Sequence, residues 1–153
     1  MLSGIRRDHV ARYEFAARTL PAQSRVVDIA CGVGYGAYIL AEAGHSVVAV
    51  DRSEEAIAYA RQHYAHARIQ YVCDDATAWA VSCPQVFDAA ISFETIEHLA
   101  DPVPFLQALR QSVGTLLASV PNEDVFPFKN YKFHYRHYRK AEFALLLQTA
   151  GFT

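Results

Sequence analysis

The sequence has no long apolar run, little net charge and no secretory leader pattern. Its apolar stretches fall short of the roughly 18 residues that a membrane-spanning helix needs. The net charge of −2 gives no electrostatic reason to expect binding to nucleic acid or to an anionic membrane. Residues 1–8 are mixed and charged, unlike the apolar segment of a signal peptide. We therefore expect a cytoplasmic protein that does not enter a membrane.

Cysteine is also scarce. Cys31, Cys73 and Cys83 are odd in number and show no CxxC spacing, which argues against a disulfide framework and against a thiolate zinc site. Cys31 and Cys73 lie in apolar strand contexts, so we expect buried free thiols in a reducing compartment. The remaining composition, 52% hydrophobic and 20% charged over 153 residues, is that of an ordinary globular domain. A single domain over residues 1–153 is therefore predicted.

A glycine-rich segment at residues 26–36 dominates the first part of the chain. It is typical of a buried strand that runs into a tight turn and then into a helix. Gly32, Gly34 and Gly36 leave little side-chain bulk, so the backbone can bend and lie against a ligand. The start of the helix offers unpaired N–H groups to that ligand. Asp28 stands four residues before Gly32, near the end of the strand.

Strand-like apolar runs alternate with helical patterns along the chain. Strands are predicted at 25–30, 45–50, 68–73, 87–92 and 115–120. Helices are predicted at 5–20, 34–43, 53–64, 102–112 and 140–150, with a helical turn at 94–99 and an aromatic, basic loop at 121–138. This alternation predicts an α/β fold, a three-layer sandwich with a mostly parallel, doubly wound sheet. Ligands bind beyond the carboxyl ends of such strands, where Asp28, Asp51, Asp75 and residues 92–98 fall.

Two ligand classes are compatible with the glycine turn. The pattern GxGxx(G/A), with Asp51 19 residues after Gly32, is close to the dinucleotide fingerprint of NAD-binding proteins. A pyrophosphate, however, would be repelled by Asp28, whereas S-adenosylmethionine carries a sulfonium and an ammonium that tolerate a nearby acid. Asp75 could also accept a hydrogen bond from an adenine amino group. S-adenosylmethionine is therefore favoured, and an NAD-binding protein is the weaker alternative.

Four segments, residues 28–36, 50–53, 73–76 and 87–99, occur in the order typical of one family. The chain resembles a class I S-adenosylmethionine-dependent methyltransferase over residues 9–152. The resemblance implies a Rossmann-like sheet and a donor site with its methionine end at 28–36, its ribose at Asp51 and its adenine at 75–76. The implied cofactor-binding residues are Asp28, Ala30, Gly32, Gly34, Gly36, Asp51, Arg52, Asp75, Ala76, Ser92 and Phe93, with Ser92 and Phe93 near the reactive methyl. Arg12 or Tyr13 is a further candidate, for the methionine carboxylate.

A second group of polar residues follows the fourth strand. Glu94, Glu97 and His98 share one face if they form a helical turn, and such a face can hold a divalent cation. Their ExxEH pattern resembles metal-using O-methyltransferases of ubiquinone synthesis and of small RNA, which implies Mg²⁺ and His134 as a fourth ligand. Two alternatives remain: metal-free acid–base or positioning roles, with Glu97 and His98 catalytic, and a purely structural segment that covers the cofactor.

The predicted activity is O-methylation of a small hydroxylated acceptor: a sugar, a phenol or a nucleotide-linked compound. A small RNA also stays among the candidate acceptors, because the ExxEH pattern occurs in that group. The loop 121–138 and the helix after it carry a cluster of cations: Lys129, Lys132, Arg136, Arg139 and Lys140. These cations are either solvated or contact a phosphorylated acceptor.

The chain departs from the family pattern at two places. The loop before the fifth strand is short, with only Ser112, Val113 and Gly114. The family also continues beyond Thr153 with a β-hairpin beside the fifth strand, which this chain lacks, so residues 115–120 would be an exposed apolar edge. We expect either a shortened chain or a homodimer through that edge. A cofactor-binding module without a complete acceptor site, with a regulatory or partner-binding role, is the alternative function.

Overall fold

Helices and strands alternate along the chain as the sequence predicts. The computed structural model describes residues 4–83 and 85–153; residues 1–3 and 84 of the predicted domain lie outside these ranges. The helices are α1 (Arg7–Thr19), α2 (Tyr35–Glu42), α3 (Glu54–His63), α4 (Ala76–Ser82), α5 (Val103–Ser112) and α6 (Lys140–Thr149). The strands are β1 (Arg25–Ile29), β2 (Ser46–Asp51), β3 (Ile69–Cys73), β4 (Phe87–Phe93) and β5 (Val113–Ser119).

The five strands form one parallel sheet in the order β3-β2-β1-β4-β5. The chain first winds outward from β1 to β3 and then crosses back to β4, so the strand order reverses between β1 and β4. In a parallel sheet this reversal opens a crevice at the carboxyl ends of the two strands. Asp28 lies in β1 at this position, in register with Ala49 of β2 and Ile91 of β4.

Side chains of each strand alternate between two cores, one on each face of the sheet. Val26 packs with α1, α2 and α3, whereas Val27 and Ile29 pack with α4, α5 and α6. Helices therefore cover both faces, and the predicted three-layer, doubly wound α/β fold is confirmed. Apolar burial on both faces explains why the strands read as continuous apolar runs.

Helix α4 was not predicted from the sequence. Asp75 begins it as the N-cap residue, with one carboxylate oxygen accepting from the N–H groups of Thr77 and Ala78. The helix has only seven residues and carries no charged residue, so its amphipathic pattern is weak. Ser53 caps α3 as predicted, accepting from the Ala56 N–H.

The second departure concerns β5. This strand begins at Val113, directly after α5. The connection is therefore even shorter than the three residues predicted at 112–114, and β5 starts two residues before its predicted beginning. β5 is an outer strand of the sheet, and Gly114 and Thr115 are exposed. The edge position of β5 is therefore as predicted, but residues 116–120 are half-buried rather than exposed. Pairing of this edge with a second chain stays a prediction.

Two further expectations from composition can be compared with the structure. Cys31 is buried as predicted, but Cys73 is exposed because it ends β3, the other outer strand of the sheet. Its predicted burial is therefore wrong. Among the described residues, no helix has both the length and the apolar character needed to cross a membrane.

Candidate donor and acceptor site

Asp51 joins the end of β2 to the glycine turn after β1. One of its carboxylate oxygens accepts from the Gly32 N–H at 2.8 Å, and the other accepts from the Ser53 N–H at 2.9 Å. Gly32 has a positive φ of 54°, and a Cβ placed on it would meet no atom within 4 Å. The turn thus leaves open space beside Gly32 and an acidic group next to it, which suits a ligand with hydroxyl donors.

Gly34 and Gly36, the other two glycines of the turn, allow close packing against neighbouring helices. A Cβ on Gly34 would lie 2.7 Å from the Ala60 Cβ, and one on Gly36 would lie 2.1 Å from the Cζ of the Tyr13 ring. Both distances are impossible for non-bonded carbons. Gly34 and Gly36 were predicted to line the ligand, but the structure gives them a different reason to be glycine: close contact with α3 and with α1.

Gly36→Ala should destabilise the fold. The added methyl group overlaps the buried Tyr13 ring, and relief requires a shift of α1 or α2. We expect the free energy of unfolding to fall by about 3 kcal/mol, the upper part of the range for overpacked cores. Urea unfolding measures this change. Gly114→Ala is the matched control, since its Cβ would lie 3.4 Å from the Asp88 carbonyl oxygen. Equal midpoints for Gly36→Ala and the wild type would contradict this packing role.

Asp28 is fully buried directly before the turn. Its Oδ1 accepts a hydrogen bond from the Tyr13 hydroxyl at 3.0 Å, while its Oδ2 has no partner among the described residues. Burial raises the pKa of Asp28 to about 7, the hydrogen bond from Tyr13 lowers it, and the charge of Asp51 adds to the rise. A buried carboxyl with one unsatisfied oxygen is suited to a cationic ligand group.

The raised pKa of Asp28 predicts a pH-dependent stability. Its folded-state pKa of about 7 lies above the ordinary 3.8, so the folded state keeps a proton that the unfolded state releases between these values. The stability from this proton is complete below pH 4 and is lost as the pH rises to 7. Asp28→Asn has no such proton to release, so its free energy of unfolding should rise relative to that of the wild type by up to about 3 kcal/mol between pH 5 and pH 8. Thermal melts of both proteins at the two pH values measure this, and a difference independent of pH would contradict it.

Three cavities lie side by side at the carboxyl ends of the strands. The Asp51 cavity, of about 230 Å³, is lined by Ala30, Val50, Asp51, Arg52, Asp74, Asp75, Ala76, Glu94, Thr95, His98 and Leu99. The Gly32 cavity, of about 190 Å³, is lined by His9, Arg12, Tyr13, Ala30, Cys31, Gly32, Tyr35, Phe93 and Glu94. The His134 cavity, of about 400 Å³, lies between α1 and the loop 121–138, and Arg12, Asn122, Phe126, Tyr131, His134 and His137 are among its lining residues. Glu94 lines all three cavities, so the three spaces meet at one residue.

Seven of the eleven predicted donor residues line the Asp51 or the Gly32 cavity. Asp28, Gly34, Gly36 and Ser92 do not: Asp28 is buried in β1, and Gly34 and Gly36 pack against neighbouring helices. Ser92, predicted beside the reactive methyl, is fully buried in β4, and its neighbour Phe93 lines the Gly32 cavity. Asp75 lines the Asp51 cavity, but its Oδ1 is already occupied by the cap of α4, which leaves Oδ2 for a ligand. Of the two candidates for the methionine carboxylate, Tyr13 donates to Asp28, and Arg12 lies 3.7 Å from Glu94.

Some wall residues were missed by sequence reasoning. Asp74 and Thr95 both line the Asp51 cavity, and the Thr95 hydroxyl also donates to the Ile29 carbonyl. The position of Asp74 could have indicated a site residue, since it too follows the third strand. No sequence pattern indicated Thr95, because its position depends on the turn after β4.

Glu97, His98 and His134 form a cluster that could hold a metal ion. One ligand atom from each lies within 4.8 Å of the others. Glu94, the remaining one of the four predicted ligands, is not part of this cluster. It has a φ of +55°, and the helical turn starts only at Ile96, so the predicted shared helix face does not form. Its carboxylate instead accepts from the Ser119 hydroxyl at 2.8 Å.

Glu97 is the buried carboxyl group of the cluster. It is 1% exposed, and neither carboxylate oxygen has a hydrogen-bond partner among the described residues. Burial raises its pKa to about 8, and the charge of Glu94 contributes. Such a group is costly to bury unless a cation or a proton accompanies it.

The ring of His98 is oriented toward Glu97. Its Nδ1 lies 2.7 Å from the Phe133 carbonyl oxygen, and its Nε2 lies 3.9 Å from the Glu97 Oε1. Because a carbonyl can only accept, Nδ1 must carry the proton, and a neutral ring then has its lone pair on Nε2. The lone pair therefore lies on the side of the buried carboxylate, as a metal ligand or a proton acceptor requires.

Comparison with known proteins identifies the family of the chain. The chain matches the methyltransferase domain family over residues 26–115, more than half of its length. The chain belongs to this family. It is 32% identical over 136 residues to a protein of Mycolicibacterium smegmatis named as an S-adenosylmethionine-dependent methyltransferase, covering 83% of this chain and 51% of that relative. It is also 32% identical over 126 residues to the ubiquinone biosynthesis O-methyltransferase of Xanthomonas campestris, covering 79% and 51%.

A solved structure supports the same membership. A methyltransferase structure from Bacillus halodurans aligns with a TM-score of 0.75 at 26% identity, covering 94% of this chain and 68% of that chain. The predicted resemblance to class I, Rossmann-like methyltransferases is thereby confirmed. The chain spans about half the length of the curated relatives it matches.

Proposed function

We propose that this chain binds S-adenosylmethionine and transfers its methyl group to the hydroxyl of a small aromatic acceptor. The observation that carries the proposal is the meeting of three cavities at Glu94, which brings a donor site against an acceptor site. An NAD site would need a turn that accepts a pyrophosphate. The buried carboxyl of Asp28, close to the turn, opposes such a charge.

The donor is proposed to occupy the Asp51 and Gly32 cavities. Asp51 accepts from the ribose hydroxyls, Arg52 lies beside the adenine, and Asp75 and Ala76 contact the adenine edge. The methionine end lies at Ala30 and Gly32, with Phe93 bordering the same space. Asp28 lies behind the wall of the Gly32 cavity and accepts from the wall residue Tyr13, so its buried carboxyl gives this end of the site an acidic character that suits the ammonium group.

The cluster of Glu97, His98 and His134 is proposed to hold a divalent cation. The unsatisfied carboxylate oxygens of Glu97 and the Nε2 lone pair of His98 fit such an ion. Mg²⁺ was predicted, but it prefers oxygen ligands, whereas imidazoles suit first-row transition metals. Mn²⁺ is a transition metal that also suits carboxylate ligands, so it is the ion used in the tests below. When bound, the cation would lower the pKa of an acceptor hydroxyl. Without it, the His98 Nε2 would be the proton acceptor.

The acceptor is proposed to be uncharged and aromatic. The charges at the His134 cavity compensate one another: Arg6 lies 3.0 Å from Asp8, and Arg12 lies 3.7 Å from Glu94. The aromatic side chain of Phe126 in the wall of the cavity favours a planar ring.

The cations of the basic loop give less support to a phosphorylated acceptor. Arg139 pairs with Asp124 at 3.1 Å, and Arg136 lies 4.0 Å from Glu142, so both have acidic partners outside the cavity. The Xanthomonas relative is named as an O-methyltransferase of ubiquinone biosynthesis, which also favours transfer to oxygen.

A methyl-transfer screen tests this function. Radiolabelled S-adenosylmethionine is incubated with the protein and with catechol, glucose, adenosine or a short RNA, in the presence of Mn²⁺. We expect label in catechol and much less in the other acceptors. Calorimetry should show binding of S-adenosylmethionine and no binding of NAD. Binding of S-adenosylmethionine without transfer to any acceptor would favour the catalytically incomplete module instead.

A further inference from the structure

His137 lies behind His134 and connects it to the backbone. Its ring is buried, with 6% of its surface exposed. Its Nδ1 lies 2.6 Å from the Phe126 carbonyl oxygen, and its Nε2 lies 2.8 Å from the His134 Nδ1. The two bonds form a chain from a backbone carbonyl, through His137, to the imidazole of His134.

The first bond determines the positions of the other protons in this chain. The Phe126 carbonyl can only accept, so the His137 Nδ1 carries a proton, and in the neutral ring Nε2 is an acceptor. The His134 Nδ1 must then be the donor of the second bond. A neutral His134 therefore has its lone pair on Nε2, the ring nitrogen that His137 does not engage, and this nitrogen would be its ligand atom in the cluster with Glu97 and His98.

Aromatic neighbours hold the His137 ring in this orientation. Tyr131 stacks on it with centroids 5.1 Å apart and planes inclined by 24°. Phe128 meets it edge to face at 5.5 Å and 73°. A ring confined on two sides cannot flip without displacing its neighbours, so the direction of the hydrogen-bond chain is built into the loop.

We propose that His137 is a positioning residue that fixes His134 in the tautomer able to bind a cation. The inference rests on the cation site of the proposed function and adds a residue that does not itself touch the cation. The Phe133 carbonyl acts on His98 in the same way. The loop 121–138 thus supplies the groups that orient both imidazoles, and partners of this kind raise the affinity of a metal site.

Two variants separate this role from simple packing. His137→Leu keeps an apolar side chain in the aromatic pocket but removes both hydrogen bonds. His137→Gln offers an amide oxygen to accept and an amide nitrogen to donate, so it can replace both ring nitrogens. His63→Leu, on the exposed surface of α3, is the control.

Calorimetric titration with Mn²⁺ is the first measurement. We expect His137→Leu to weaken Mn²⁺ binding by about 10- to 100-fold, with His137→Gln close to the wild type and His63→Leu unchanged. An unchanged affinity in His137→Leu would overturn the inference while leaving the proposed cation site intact. The same large loss in His137→Gln as in His137→Leu would also overturn it, because only packing would then matter.

Long-range ¹H–¹⁵N NMR of the metal-free protein is the second measurement, and it does not depend on the cation. We expect the wild type and His137→Gln to show His134 protonated at Nδ1, and His137→Leu to show a mixture of tautomers. A wild type with His134 protonated at Nε2 would overturn the inference even if Mn²⁺ binds. If Mn²⁺ does not bind to the wild type, the cation site fails, and the tautomer of His134 still decides the role of His137.

Discussion

Replacing Asp51 by alanine is expected to weaken S-adenosylmethionine binding by about 100-fold or more. The carboxylate would lose its bonds to the ribose hydroxyls, and hydrogen bonds to a charged group contribute about 1.5–3 kcal/mol each. The glycine turn would also lose an anchor, because the Gly32 N–H donates to Asp51 at 2.8 Å. The first loss removes contacts to the donor, and the second disturbs the cavity that binds the donor.

Calorimetry with S-adenosylmethionine measures this loss. Asp51→Asn keeps one acceptor oxygen, so we expect an intermediate loss of affinity. Glu55→Gln, also acidic and in the first turn of α3, is the matched control and should bind as the wild type does. An Asp51→Ala protein that melts normally and binds the donor with unchanged affinity would show that the donor lies elsewhere.

Glu97→Gln is expected to lower the rate of methyl transfer by about 1,000-fold, a loss typical of removing a group that stabilises developing charge. The substitution keeps the size of the side chain but removes the only carboxyl group in the cluster with His98 and His134. We expect the affinity for S-adenosylmethionine to stay within about threefold of the wild type, because Glu97 does not line the Asp51 or Gly32 cavity.

Two measurements distinguish a slower chemical step from a loss of binding in Glu97→Gln. Single-turnover kinetics separate the chemical step from donor binding. Mn²⁺ titration shows whether Glu97→Gln also loses cation binding. Glu94→Gln is the matched comparison: it removes an acid three residues earlier that lies outside the cluster, so Mn²⁺ affinity should change little. Full activity in Glu97→Gln would favour the metal-free alternative in which His98 acts alone.

The proposed donor half of the site was accessible from sequence because it depends on local features. Strand-like runs place Asp51 and Asp75 at the carboxyl ends of strands, and a parallel sheet brings such ends to one edge. The sequence could not show that Asp75 divides its carboxylate between the site and the cap of α4. It also could not show that Gly36 is needed for the Tyr13 ring, since that contact joins residues 23 positions apart.

The acceptor half was only partly accessible. Spacing suggested that Glu94, Glu97 and His98 share a helix face, but the turn after β4 is a short 3₁₀ turn that begins at Ile96. Because that turn begins two residues after Glu94, the Glu94 side chain is not part of the cluster, and its carboxylate accepts from the Ser119 hydroxyl. His137 gave no signal of its own in the loop, because its role depends on the carbonyl of Phe126, 11 residues earlier.

The effect of EDTA on methyl transfer tests the central claim most directly. The protein is assayed with radiolabelled S-adenosylmethionine and catechol as purified, after treatment with EDTA, and after addition of Mn²⁺ in excess of EDTA. The cluster of Glu97, His98 and His134 predicts that transfer is lost with EDTA and restored by Mn²⁺. A rate that EDTA leaves unchanged would contradict the proposed cation site.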